Sequence, residues 1–188
     1  MWYLPSFLFF IVMLTNCSPE PSEQNPDRAQ LVQQQAQAFF DTYAERSDWE
    51  KFCSFYREDM QFHDVILQLH LDSLWQLKRF YQWDSEGDQF QKLSPDQEHL
   101  AVESLVANDS VAVARGRVNP FYYSGHLIDV EWGMDFTIWL HFDDSLRITK
   151  QIDWMEYDPA VLENMLKRVQ ENGHEAIPNW LDLSQAGS

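Results

Sequence analysis

Two segments of the chain have the alternating pattern of β-strands, and in each of them an acidic residue falls on the same face as the apolar residues. Asp64 follows Phe62, and Glu156 follows Trp154, each two positions along the chain. Because successive side chains of a strand point to opposite faces, both carboxylates are predicted to face the apolar interior, whereas Asp153 points outward unless a β-bulge shifts the phase. Removing a carboxyl from water raises its pKa toward neutrality, so such a group can exchange protons with a substrate.

Other site chemistries have little support in the sequence. The pairs His70-x-Asp72 and His126-x-x-Asp129 are isolated, whereas a zinc site requires three or four convergent ligands. No glycine-rich phosphate loop, G-x-S-x-G turn or Cys–His pair is present. We therefore predict neither a metal nor another cofactor. For each candidate acid the competing interpretation is an ordinary surface carboxylate, because the chain contains 30 Asp and Glu residues.

The charge of the chain excludes further classes of partner. The chain of 188 residues contains 30 acidic residues and only 13 Lys and Arg residues, which gives a net charge of −17. Nucleic acids are bound through clustered Lys and Arg, so we expect no nucleic-acid partner. Aromatic residues make up 15% of the chain, which argues against disorder and favours one compact domain with a large aromatic core.

The first half of the chain reads as the helices that must position these acids. A helix begins near Pro26 and carries apolar side chains at helical spacing up to Tyr43. The stretch Ser47 to Glu50 matches a capping box that opens a short second helix. Farther along, the pattern predicts a strand, a third helix and a polar loop over residues 60–65, 72–83 and 85–97.

From residue 99 onward, alternation with a period of two predicts long antiparallel strands. Their predicted ranges are 99–107, 111–118, 130–142 and 146–157. Asp158-Pro159 then begins a final helix, which ends at Gly173. This order of elements indicates an α+β fold.

The N-terminus reads as a targeting segment. The apolar run over residues 2–14 is shorter than the roughly 20 residues that a membrane-spanning helix needs. With Leu14 three positions before Cys17, it resembles a bacterial lipoprotein signal, in which the cysteine is lipidated and becomes the mature N-terminus. An ordinary cleaved signal peptide and an uncleaved anchor remain the alternatives. We expect residues 1–16 to be the signal, residues 17–27 a polar tether and the protein to be exported to the cell envelope.

Two local motifs carry a family resemblance. The segment Tyr56 to Asp64, YREDMQFHD, resembles the "Y-x-x-D-h-x-F-x-D" first strand of SnoaL-like proteins, a group within the nuclear-transport-factor-2-like superfamily. The segment Ile148 to Pro159, ITKQIDWMEYDP, resembles their closing strand, "I-x-x-x-x-D-W/Y-x-x-Y-D-P". The resemblance covers residues 28–172 and leaves residues 173–188 as a tail. It implies a cone, in which a curved antiparallel sheet wraps on three N-terminal helices and a C-terminal helix follows.

The resemblance implies two functions. One is a binding module that holds an apolar small molecule in the cone, with lining residues Phe62, Tyr122, Trp132, Met134, Phe136 and Trp154. In the competing interpretation, these side chains fill an ordinary core.

The other function is an acid–base enzyme of isomerase, cyclase or epoxide-hydrolase type. Its candidate catalytic carboxyls are Asp64, Asp153 and Glu156, and its possible polarising donors are Tyr122, Tyr123 and His126. Family analogy points Asp153 inward, against simple alternation. The epoxide-hydrolase version also needs an Arg-x-Asp pair on a middle strand. The nearest match here is Arg117-Val118-Asn119, and Asn119 has no carboxyl proton to donate. A homodimer through the convex sheet face, which carries Trp139 and His141, is compatible with either function.

Replacing Cys17 tests the predicted anchor. We expect Cys17→Ala to move the protein from the membrane fraction to the soluble fraction of fractionated cells, because the acyl chains would have no attachment point. Cys53→Ala is the matched control, since Cys53 lies in an aromatic helical segment and is predicted to be a buried structural thiol. An unchanged distribution of Cys17→Ala would refute the lipoprotein assignment.

Overall fold

The computed structural model describes residues 26–67, 69–81, 90–123, 126–129 and 133–158. The predicted signal segment with Cys17, the final helix after Asp158 and the candidate lining residue Trp132 lie outside these residues. Among the residues that are described, no helix is both long and apolar enough to cross a membrane.

Three helices are described in the first half of the chain, close to their predicted positions. They are α1 (Pro26–Glu45), α2 (Trp49–Ser54) and α3 (Leu74–Tyr81). Asp48 caps α2, since its carboxylate accepts a hydrogen bond of 2.9 Å from the backbone N–H of Lys51. The capping residue is therefore one position later than the Ser47 of the predicted capping box.

Nine strands are described, and the long ones agree with the predicted alternation. Their bounds are β1 (Tyr56–Asp64), β2 (Leu69–Leu71), β3 (Phe90–Lys92), β4 (Leu100–Ala107), β5 (Val111–Val118), β6 (Phe121–Tyr123), β7 (His126–Ile128), β8 (Met134–Phe142) and β9 (Ile148–Met155). The three-residue strands β2, β3, β6 and β7 were not predicted, because a period of two is not recognisable over so few positions.

The strands form two sheets. The larger sheet has the order β2-β1-β9-β8-β5-β4, and the smaller has the order β3-β6-β7. All described pairs are antiparallel except β1 with β9, which run parallel. The molecule is thus an α+β fold with a curved, unclosed sheet packed on N-terminal helices, which confirms the predicted fold class.

Aromatic side chains join the helices to the concave side of the large sheet. Phe39 of α1 meets Phe52 and Tyr56, with ring centroids 5.2 and 5.8 Å apart. The next residue of the helix, Phe40, stacks on Phe136 of β8 at 6.5 Å. All five rings are at most 2% exposed, so they form the predicted aromatic core.

One extra residue in β9 changes which of its side chains face this core. Ile148 pairs with Phe142 and Lys150 pairs with His141, so Thr149 has no register partner on β8. Such a β-bulge shifts the alternation by one position. Ile148 is buried before the bulge, and Gln151 is buried after it. After the bulge, the odd-numbered side chains of β9 are therefore the ones that face the core.

Candidate active site

The structure brings two of the three candidate carboxyls together inside the fold. Asp64 ends β1, and its register partner on the neighbouring parallel strand β9 is Asp153. Adjacent strands lie about 4.8 Å apart, so the two side chains stand next to each other on the concave face. They are only 0% and 2% exposed. Asp64 faces inward as alternation predicted, and Asp153 faces inward because of the bulge at Thr149.

The third candidate carboxyl does not belong to this group. Glu156 is exposed, and Trp154, which was predicted to line the cone, has 51% of its surface exposed. Both predictions extended one alternation phase through the whole segment from Leu146 onward, and both orientations were wrong. The bulge at Thr149 reverses that phase, so Trp154 points to the outer face while Asp153 points inward.

Asp64 is held by hydrogen bonds from two sides. One carboxylate oxygen accepts the backbone N–H groups of Ile66 and Leu67, at 3.0 and 2.8 Å. The other accepts the hydroxyl of Tyr157, which lies 93 residues away in the sequence. These donors favour the ionised carboxylate, while burial raises its pKa above the ordinary value. Asp64 is therefore a buried carboxyl with fixed orientation and three donors.

Asp153 has different partners. The side-chain amide of Gln151 donates to both carboxyl oxygens at 2.8 and 3.0 Å, and the Tyr81 hydroxyl donates at 3.3 Å. The amide oxygen of Gln151 in turn accepts the hydroxyl of Tyr56. Tyr81 and Tyr43 also share a hydrogen bond between their hydroxyls. Side chains from α1, α3, β1 and β9 thus converge on one carboxyl.

Burial makes Asp153 a weak acid. Desolvation raises its pKa to about 8, and the charge of Asp64 adds to the rise, while hydrogen bonds from Gln151 and Tyr81 oppose it. Two adjacent buried carboxyls resist double ionisation, so they share protons as a coupled pair. Near pH 7 Asp153 is the protonated member, because its pKa is raised to about 8.

The surrounding tyrosines remain protonated donors. Burial, followed by the charge of Asp153, raises the pKa of Tyr43 to about 12 and those of Tyr56 and Tyr81 well above their ordinary value. Burial and the charge of Asp64 have the same effect on Tyr157. The site therefore offers hydroxyl donors that keep their protons over the whole physiological range.

The predicted lining residues differ in how deeply they are buried. Phe62, Met134 and Phe136 are buried, with exposed fractions of 1%, 6% and 2%. Phe62 packs at 6.0 Å against the ring of Tyr81, so it borders the carboxyl group. Tyr122 is 37% exposed on the smaller sheet, which does not favour its assignment to an enclosed lining. The side chains of Tyr123 and His126 lie outside the described part of the chain.

Sequence reasoning missed most of the polar partners. Tyr81 lies in the predicted third helix and Tyr157 in a quoted motif, and neither was given a role. Gln151 shares the phase of Asp153 and would have been found if the bulge had been placed. Among the described residues no group of three or more His, Cys, Asp or Glu could hold a metal ion.

The raised pKa of Asp153 predicts a distinctive pH dependence of stability. An unfolded Asp ionises near pH ~3.9, whereas the native carboxyl keeps its proton to about pH 8. The native state therefore binds one more proton between these values. The stability that this proton contributes is complete below the unfolded pKa and is lost as the pH rises through the native pKa, at up to about 1.4 kcal/mol per pH unit.

We expect Asp153→Asn to remove this dependence, because the amide is close in shape but does not ionise. The free energy of unfolding, measured in urea between pH 5 and pH 8, should fall with pH more steeply in the wild type than in the variant. Glu156→Gln is the matched control, since Glu156 is exposed. Parallel pH curves for the wild type and Asp153→Asn would contradict the assignment.

Comparison with known proteins identifies the fold. No model of a known protein family and no curated protein sequence matches the chain. A protein proposed to be a SnoaL-like polyketide cyclase, from Shewanella putrefaciens CN-32, aligns with a TM-score of 0.54 at 19% identity, over 73% of this chain and 96% of its own. A protein proposed to be a polyketide cyclase, from Xanthomonas campestris pv. campestris, aligns at 0.52 with 16% identity, over 74% and 97%.

TerC, co-crystallised with polyporic acid, aligns with a TM-score of 0.50 at 14% identity, over 72% of this chain and 98% of its own. At these identities the similarity concerns the fold, and it agrees with the curved sheet and the N-terminal helices described above. The chain therefore has the fold of the SnoaL-like proteins in the nuclear-transport-factor-2-like superfamily.

Proposed function

We propose that this protein catalyses proton transfer on an apolar small molecule held in its cone. The observation that carries the proposal is Asp153, a fully buried carboxyl whose pKa of about 8 keeps it protonated at neutral pH beside Asp64. Acid–base catalysis works best with groups whose pKa lies near the working pH. A pair of neighbouring carboxyls with separated pKa values is the usual arrangement for an acid and a base in one site.

The environments of the two carboxyls assign their roles. Asp64 accepts hydrogen bonds from two backbone N–H groups and from Tyr157, which stabilise its ionised form, so it is the base. Asp153 keeps its proton and is the acid or hydrogen-bond donor. In the proposed step, Asp64 takes a proton from a carbon next to a carbonyl. The C–H electrons form a carbon–carbon double bond, and the carbonyl oxygen becomes an enolate that Asp153 stabilises.

The apolar surroundings define the class of substrate. Phe62 and Phe136 are buried on the concave face with the acids, so the site favours a molecule that is mostly hydrocarbon. The co-crystal of TerC with polyporic acid supports a small organic molecule as the ligand of this fold. Binding without chemistry is the second candidate function, and the buried aromatic side chains favour it equally.

The proposed cellular setting is the envelope, with the lipidated Cys17 as anchor. The proposed assembly is a homodimer through the outer face of the sheet, where Trp139 and Trp154 are 42% and 51% exposed. A monomeric mass of the purified protein in solution would contradict the dimer.

Hydrogen exchange of a simple ketone tests the catalytic proposal. We expect the wild-type protein to accelerate the exchange of the α-protons of 2-tetralone with D₂O at neutral pD, followed by proton NMR. Replacing a general acid or base typically removes about 10²-fold or more of the acceleration. Asp64→Asn and Asp153→Asn should each show such a loss, whereas the control Glu156→Gln should retain the wild-type rate.

The same spectra distinguish the two candidate functions. Line broadening of 2-tetralone without exchange would mean binding alone and would contradict catalysis. Equal exchange rates for the wild type and Asp64→Asn would contradict the assignment of the base.

A further inference from the structure

A recess lies next to the edge strand β2 of the large sheet, and Phe62 and Leu71 form its apolar part. It is an open cleft of about 310 Å³ between β1, β2, the start of α3 and β9. Its polar walls are formed by Gln61, His63, His70, Asp72, Gln76 and Lys150. The volume is at the lower end of the range for small-molecule sites, roughly 300–1,000 Å³.

Two histidines form one wall of the cleft. His63 and His70 are register partners on the antiparallel strands β1 and β2. Their imidazole rings are stacked, with centroids 4.0 Å apart and an angle of 21° between the planes. Phe62 and Asp64 on either side of His63 face inward, so alternation directs the histidine pair outward. The pair is therefore accessible from solvent.

Lys150 adds a positive charge to the same cleft. It lies on β9, opposite Gln61 of β1. Arg57 and Arg117 are paired with carboxylates at 2.7 and 3.4 Å, but Lys150 has no ion pair with any described residue. Asp72 lines the cleft, yet among the described ion pairs none joins it to Lys150 or to either histidine. Lys150 is thus a positive charge with no acidic partner among the described ion pairs, in a chain with 17 excess negative charges.

Lys150 disfavours the protonated form of the neighbouring histidines. Partial burial lowers the pKa of His63, and the charges of His70 and Lys150 lower it further, while Asp64 acts in the opposite direction. On the neighbouring strand β8, burial and Lys150 also lower the pKa of His141. A bound anion would relieve this repulsion, because it would place a negative charge among like charges.

We propose that this cleft binds a small oxyanion, a phosphate or carboxylate group, between Lys150 and the His63–His70 pair. The side chain of Gln76 can contribute as well. Its oxygen accepts the backbone N–H of Asp72 at 2.7 Å, so its amide nitrogen is left to donate. The site does not depend on the proposed catalytic function.

Sulfate is the first probe, because it remains a dianion throughout the pH range in which histidine titrates. We expect sulfate to shift the imidazole Cε1–H proton resonances of His63 and His70 in NMR spectra, assigned with His63→Gln and His70→Gln. Protonated histidines attract the anion more strongly. We therefore expect binding about tenfold tighter at pH 5.5 than at pH 8. Acetate in a parallel titration shows whether a carboxylate is also accepted.

Charge-removing variants locate the site. Lys150→Gln should weaken sulfate binding about tenfold or more at either pH. Lys51→Gln removes the same charge from an exposed position on α2 and should leave sulfate binding unchanged. Should Lys150→Gln not fold, His70→Gln provides a second test, because His70 is exposed.

Two results would overturn the proposal. One is the absence of any shift with sulfate or acetate beyond that produced by sodium chloride at equal ionic strength. The other is an equal sulfate affinity of the wild type and Lys150→Gln. Binding of acetate alone would support the carboxylate form of the same site.

Discussion

The burial of Asp153 beside Asp64 is the constraint on which the rest of the site depends. A carboxylate removed from water is strongly destabilised unless it is protonated or receives hydrogen bonds. Asp64 receives donors from two backbone N–H groups and Tyr157, and Asp153 keeps its proton and is joined to Gln151 and Tyr81. The buried hydroxyls and the amide near the pair are therefore explained by the requirement that its polar groups be satisfied.

The β-bulge at Thr149 decides which side chains meet this requirement. Without the extra residue, Trp154 would take the inward phase and Asp153 would face solvent. With it, Asp153 meets Tyr81 of α3 and stands level with Asp64 of β1. A local irregularity in one strand thus links two helices and two strands into one hydrogen-bonded group. Bulges are common beside active sites because they re-aim a side chain while the strand remains paired in the sheet.

Alternation and helical spacing were sufficient to predict the α+β fold, the three helices and the inward direction of Asp64, because each depends on a pattern within one segment. Glu156 was placed inward wrongly, because an extra residue is visible only from the pairing of Thr149 with its neighbours. Family analogy placed Asp153 where alternation did not. Tyr81 was missed because its role depends on contacts between elements that are far apart in sequence. The periodicity of a single helix gives no information about such contacts.

The proposed separation of roles between the two carboxyls rests on one property, the proton on Asp153 at neutral pH. A titration of the ¹³C resonance of its carboxyl carbon, assigned with Asp153→Asn, measures that property directly. The expected result is a midpoint near pH 8. A midpoint for Asp153 near pH ~4, the ordinary value for an exposed Asp, would contradict the account.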